Sequence, residues 1–218
     1  MKPYLSLNIL SLLVISLFLG CSKNNEDNFI ISGNIESYTN NPDRELRLCS
    51  LRDSLLSEYN PSIFGFSGIK SDGYFKMTAI SAPDEKLLVP LDSIFGINIV
   101  KSDNSVKACR GILNVFNNKY QDYIGGLSKQ NTEVLYAPGG ISVKFIYVDN
   151  DVNISGTGIR IKENPFLHYH TTYLMNCNLS LKAGWNQYID ESISIQPTQT
   201  NDLYSIEPEG LKWYFSQY

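Results

Sequence analysis

After residue 28 the chain is dominated by alternating apolar and polar positions, and helical stripes are scarce. A period of two places successive side chains on opposite faces of a pleated strand. Phe29 to Ile35 predicts a first strand, with Phe29, Ile31 and, past Gly33, Ile35 facing one way. Leu46 and Leu48 alternate in ELRLCSL and predict a second. Arg52 to Tyr59 carries Leu55, Leu56 and Tyr59 at near-helical spacing, enough for one or two turns before Asn60-Pro61 stops them. IFGFSGIK and YFKMTAI flank Ser71-Asp72-Gly73, where Asp-Gly suits the positive φ of a tight hairpin. Leu87-Leu88-Val89 follows, and Pro90 marks a sheet edge or exit.

The second half keeps this style. Ile97 to Val100 alternates, and Val106 to Phe116 predicts a strand closed by an Asn117-Asn118 turn. Thr132–Tyr136 and Ile141–Val148 flank a Pro138-Gly139-Gly140 hairpin turn. Val152 to Gly156 reads as a short strand, with Gly156-Thr157-Gly158 as the turn after it. His168 to Leu181 alternates with Tyr169, Thr171, Tyr173, Met175, Cys177, Leu179 and Leu181 on one face. Ala183-Gly184 turns into Trp185 to Ile195, with Trp185, Ile189, Ile193 and Ile195 expected inward. Leu211 to Phe215 predicts a terminal strand.

The first 28 residues follow other rules. Lys2 precedes a run from Leu5 to Leu19 that is apolar apart from Ser6, Asn8, Ser11 and Ser16. It is shorter than the ~20 apolar residues a spanning helix needs, which favours a cleaved signal peptide. The run ends Leu17-Phe18-Leu19-Gly20-Cys21, which resembles the lipobox of bacterial lipoproteins. That resemblance implies a diacylglyceryl thioether on Cys21, and two or more acyl chains make a lasting membrane anchor. Ser22-Lys23-Asn24-Asn25-Glu26-Asp27 resembles the polar, acidic export signal of Bacteroidota surface lipoproteins, implying an outer-membrane protein facing the extracellular side. The D-G-Y-F turn resembles that of transthyretin-like and carboxypeptidase-regulatory-like sandwiches over residues 29 to about 90, with an implication for fold alone. KFIYVDNDVNISGTG, LSLKAGWNQYI and LKWYF resemble phrases of Bacteroidota lipoproteins across residues 141–215, and they carry no catalytic motif.

Composition narrows the partners. The 218 residues have a formal net charge of −4 and no basic run, which argues against nucleic acid. Cys49, Cys109 and Cys177 remain once Cys21 is acylated, and each sits in a strand-like run, so free, buried thiols are expected. No cofactor is implied.

Candidate sites are sparse. His168 and His170 share one strand face and could share a metal, but Cys177 falls on the opposite face by parity. The G-x-S-x-G elbow is absent, and Gly156-Thr157-Gly158 lacks the Lys-Ser/Thr of a phosphate loop. Asp149, Asp151, Glu163, Asp190 and Glu191 could supply the carboxylate pair of a glycan-processing hydrolase, yet most lie in turn-like contexts. Tyr136, Tyr147, Trp213 and Tyr214 are candidates for stacking a sugar ring, in competition with core packing. Ser54 and Ser93, in Asp53-Ser54-Leu55 and Asp92-Ser93-Ile94, resemble Bacteroidota O-glycosylation acceptors.

The expected architecture is all-β: a signal peptide over 1–20, a lipidated tether over 21–28, and two small antiparallel β-sandwich modules over 29–92 and 93–218. The expected function is a non-catalytic binding or structural lipoprotein, held to the membrane through Cys21, with a glycan or protein ligand. A fimbrillin-like or stalk subunit, which polymerises by strand donation, is the alternative. A hydrolase is the third reading.

Overall fold

The structure is a computed structural model that describes residues 29–39, 41, 43–51, 62–78, 80–119, 122–131, 138–164, 169–194 and 198–217. The leader, Cys21 and the helical stripe at 52–59 lie outside them, as does the strand expected over 132–136. The all-β expectation holds, and the sheets do not close into a barrel.

Strands β1 (Ile31–Asn34), β2 (Arg44–Ser50), β3 (Ile63–Gly68) and β4 (Tyr74–Met77) come first. A 3-10 turn at Glu85–Leu87, β5 (Val89–Pro90), helix α1 (Asp92–Phe95) and β6 (Val100–Lys101) follow. The longer strands are β7 (Lys107–Asn117), β8 (Asp122–Gln130), β9 (Ile141–Val148), β10 (Val152–Asn164), β11 (Tyr169–Leu181) and β12 (Gly184–Ser194). β13 (Gln199–Tyr204) and β14 (Lys212–Gln217) complete the chain.

β1 and β4 form a two-stranded sheet, and the other strands join in one twelve-stranded sheet. That sheet forks at β7, where Leu113–Asn117 pairs with β8 and Ala108–Gly111 pairs with β9. One branch continues from β8 to β14, the other through β9, β12, β13, β11, β10 and β6. β2 lies against the opposite edge of β7, so the stretches before and after residue 93 share this sheet. The ladders are antiparallel except for β11 with β13, which departs from the purely antiparallel expectation, and an isolated bridge between Ile35 and Trp213 is also parallel.

Two cores form on opposite faces of β9 and β12. Leu46, Leu48, Phe75, Met77, Phe145, Ile189 and Trp213 belong to the first, and Ile94, Phe95, Ile146, Val148, Leu179 and Leu181 to the second. Val143-Lys144-Phe145-Ile146 therefore reads as a nearly continuous apolar run, because both faces of β9 are covered. Each fully buried Leu or Phe contributes roughly 1.5–3 kcal/mol.

Several expectations need correction. The Ser71-Asp72-Gly73 turn forms, with Gly73 at φ +84° and the Asp72 carboxylate accepting the Tyr74 N–H at 3.0 Å. The flanking strands nevertheless part company, β3 joining β2 and β4 joining β1. Gly156-Thr157-Gly158 is no turn but lies within β10, paired to Cys177, Asn176 and Met175. The reason is close approach: a Cβ built on Gly158 would stand 1.9 Å from the Phe95 carbonyl oxygen at the end of α1. Ile193, expected inward, is 45% exposed, because a bulge between Ser192 and Ser194 inserts one residue and turns it out. Ile195 lies outside the described residues. Strands β8 and β13 were not foreseen, since Gly125-Gly126 and the polar run Gln199–Asp202 hide the alternation.

Candidate functional site

The face of the twelve-stranded sheet that carries the second core changes character along its strands. On β10 and β11 the paired inward positions run Val152/Leu181, Ile154/Leu179, Gly156/Cys177, Gly158/Met175 and Arg160/Tyr173. On β9, Ile146 and Val148 are followed inward by Lys144, and on β7 Arg110 shares the parity of Ala108. Tyr188 and Asp190 take the same face of β12. An apolar floor thus passes into a band carrying Arg110, Lys144 and Arg160, answered by the single carboxylate of Asp190 among the described residues. Helix α1 seals the apolar end with Ile94 and Phe95, whose ring meets Tyr188 edge-on at 5.7 Å.

A 260 Å³ cavity opens at the boundary between the two regions. On that edge of β7, β2 reaches Gly111, Leu51 donates its N–H to the Arg110 carbonyl at 3.0 Å, and β5 begins only at Ala108, so the two neighbours of β7 part beside Cys109. Leu87, Val89 and Ile94 supply apolar walls, Ser93 a hydroxyl, and Arg110 and Arg160 two guanidiniums. Neither arginine has an ion-pair partner among the described residues. Burial, with the neighbouring charge of Arg110, pulls the Arg160 guanidinium below its usual range, and the Tyr173 and Tyr188 hydroxyls oppose this. Burial also depresses Lys144, with Asp190 acting against it and Arg110 reinforcing it. The Tyr188 phenol is pushed up, mainly by burial.

The polar band holds further unmet demand. Asn201 donates its amide to Asp190 at 2.5 Å, but its Oδ1 and the hydroxyl of Ser192 opposite it are buried without a partner among the described residues. Such groups cost free energy unless water or a ligand satisfies them.

Among the described residues, the candidates from sequence are not assembled into a site. Trp213 is a correction: it is 5% exposed and packed on Phe75 at 5.1 Å and Phe145 at 6.5 Å, directly over Gly33. The first core needed an aromatic of that size, and β14 brings it inward. Tyr214 takes the other face of β14, opposite Ser128. Tyr147 stands edge-on to Trp185 at 5.8 Å, and the Trp185 indole donates to the Ser81 carbonyl at 2.8 Å. Tyr136, His168 and Ser54 lie outside the described residues, as Cys21 does. His170 occupies β11 opposite Glu163, and no group of three metal-ligating side chains exists among the described residues.

Ser93 is exposed on α1 at the cavity mouth, beside Asp92, which accepts from Lys101 at 2.7 Å. Among the acids, Asp149 accepts the Lys107 N–H, and Asp151 accepts from the Ala183 N–H and Lys182, so both fasten turns. Asp190 and Glu191 are adjacent in β12 and face opposite sides, and Glu191 accepts the Tyr204 hydroxyl at 3.1 Å.

Comparison with family models, curated proteins and solved structures finds no match. The cavity therefore has to be read from its own chemistry. The two arginines of the cavity and the neighbouring Lys144 carry no motif signal in the sequence because they are spread singly over three strands far apart in the chain. The available signal was parity: Lys144 shares the inward face of Ile146 and Val148, and Arg160 that of Val152 and Ile154.

Proposed function

We propose that this chain is an exported, non-catalytic binding lipoprotein, anchored to the outer membrane through Cys21 and facing the extracellular side, whose all-β body offers a cavity open to solvent to a small ligand. One observation carries the binding half of this reading. Arg110 and Arg160, both half-buried, line a 260 Å³ cavity without an ionic partner among the described residues, and a partly desolvated charge gains from an opposite one beside it. A ligand supplies the missing partner. The anchoring half rests on the short apolar leader ending at Gly20-Cys21. With Trp213 committed to the core, the geometry favours a small molecule over an extended glycan stacked on aromatic faces.

The test has two arms. Cys21→Ser is expected to move the protein from the membrane pellet to the soluble fraction, and unchanged sedimentation would refute the anchor. A panel of small anionic, neutral and cationic compounds should contain members that raise the melting temperature of the full-length chain. Ile94→Trp, which fills the cavity, should remove those shifts. A panel without effect, or shifts that survive Ile94→Trp, would overturn the binding reading.

A further inference from the structure

We infer that the ligand is a small amphiphilic carboxylate, its carboxylate held between Arg110 and Arg160 and its hydrocarbon part lying on Leu87, Val89 and Ile94. This rests on the binding reading above and narrows it to a chemical class.

The charge balance comes first. From the strands around the site, Arg110 on β7, Lys144 on β9 and Arg160 on β10 face inward, against Asp190 on β12 alone among the described residues. Asp190 is already engaged by the Asn201 amide, and Asp92 on α1 is held by Lys101. The band therefore attracts an anion and repels a cation. Arginine is suited to the task because its planar fork presents parallel N–H donors that match the two oxygens of a carboxylate.

The shape of the cavity selects among anions. Its remaining walls are largely aliphatic, so a doubly charged, strongly hydrated headgroup would lose more solvation there than a single carboxylate. Size sets the other bound. A cavity of roughly 150 Å³ accepts benzene, so 260 Å³ suits on the order of ten non-hydrogen atoms. A short-chain or aryl-substituted acid meets these conditions.

Phenylacetate, its neutral isostere phenylacetamide, and phenyl phosphate are the probes, titrated calorimetrically into the full-length chain in non-ionic detergent. Phenylacetate is expected to bind saturably and phenylacetamide not to. Arg110→Gln and Arg160→Gln should each weaken phenylacetate about ten- to a hundredfold, the range for a charge-assisted contact. The melting temperature without ligand should hold or rise in both variants, because each removes a repelled charge; a marked fall would assign the arginines a structural role and overturn the inference. Equal binding of phenylacetamide, abolished by Ile94→Trp, would overturn the carboxylate and leave the binding reading standing. Tighter binding of phenyl phosphate would replace the carboxylate by a phosphate ester. If no probe binds while other panel members still shift the melting temperature, the carboxylate fails alone. If none of the panel does, both readings fail.

Discussion

Gly158→Ala is expected to be among the most damaging single-methyl additions in the chain. The added Cβ would lie 1.9 Å from the Phe95 carbonyl oxygen, 2.9 Å from Ile99 Cγ2 and 3.1 Å from the Phe95 carbonyl carbon. Backbone rather than a flexible side-chain tip occupies the space, so α1 must move or β10 must bend. Overpacking of this kind costs ~1–3 kcal/mol. Displacing Phe95, which is almost completely buried against Tyr188, adds part of the ~3–5 kcal/mol attached to losing a buried Phe. A total of about 3–4 kcal/mol follows, and for a chain of this size that lowers Tm by about 10 °C. Urea unfolding of Gly158→Ala beside Gly68→Ala is the assay. A Cβ at Gly68 meets nothing within 4 Å, and that variant should be neutral or slightly stabilised. If the two variants unfold within ~0.5 kcal/mol of each other, the account of why β10 carries glycine beneath α1 is wrong.

Two other outcomes follow from burial. Cys49 and Cys177 are free, buried thiols pushed up to about 12, both chiefly by burial, with Arg47 and Asn114 opposing the shift at Cys49. At pH 8 only about one in ten thousand of either is thiolate, so alkylation read site by site by mass spectrometry should be at least ~10³-fold slower in the native protein than in urea. Comparable rates in both states would refute their burial. Lys144→Met should raise the urea midpoint at pH 7. Folded Lys144 holds its proton less tightly than the unfolded chain, whose ordinary value is 10.5, so its ammonium opposes folding at neutral pH. The wild type recovers stability as pH rises toward 10.5, and the advantage of the variant should shrink between pH 7 and pH 10. A constant difference would count against the charge as its cause.

Local pattern alone was enough for much of this protein. Period-two alternation located β1, β2, β11 and β14, because one-sided burial imposes that period wherever a strand lies on a core, and β7 and β9, covered on both faces, stood out as apolar runs bounded by turns. The same parity predicted the inward face of Cys177, Leu179 and Leu181, and the strand-like setting of Cys49, Cys109 and Cys177 predicted free, buried thiols. Tertiary structure decided what depends on distant neighbours. Gly156 and Gly158 look like a turn until α1 is known to press on β10, and Ile193 looks inward until the bulge turns it out. The divergence of β3 from β4 depends on which partner each strand finds. The candidate site belongs wholly to this second kind, since Arg110, Lys144 and Arg160 lie on three strands that only the forked sheet brings to one face. A chain states where a charge sits along a strand, but only pairing states which other charges it must share a cavity with.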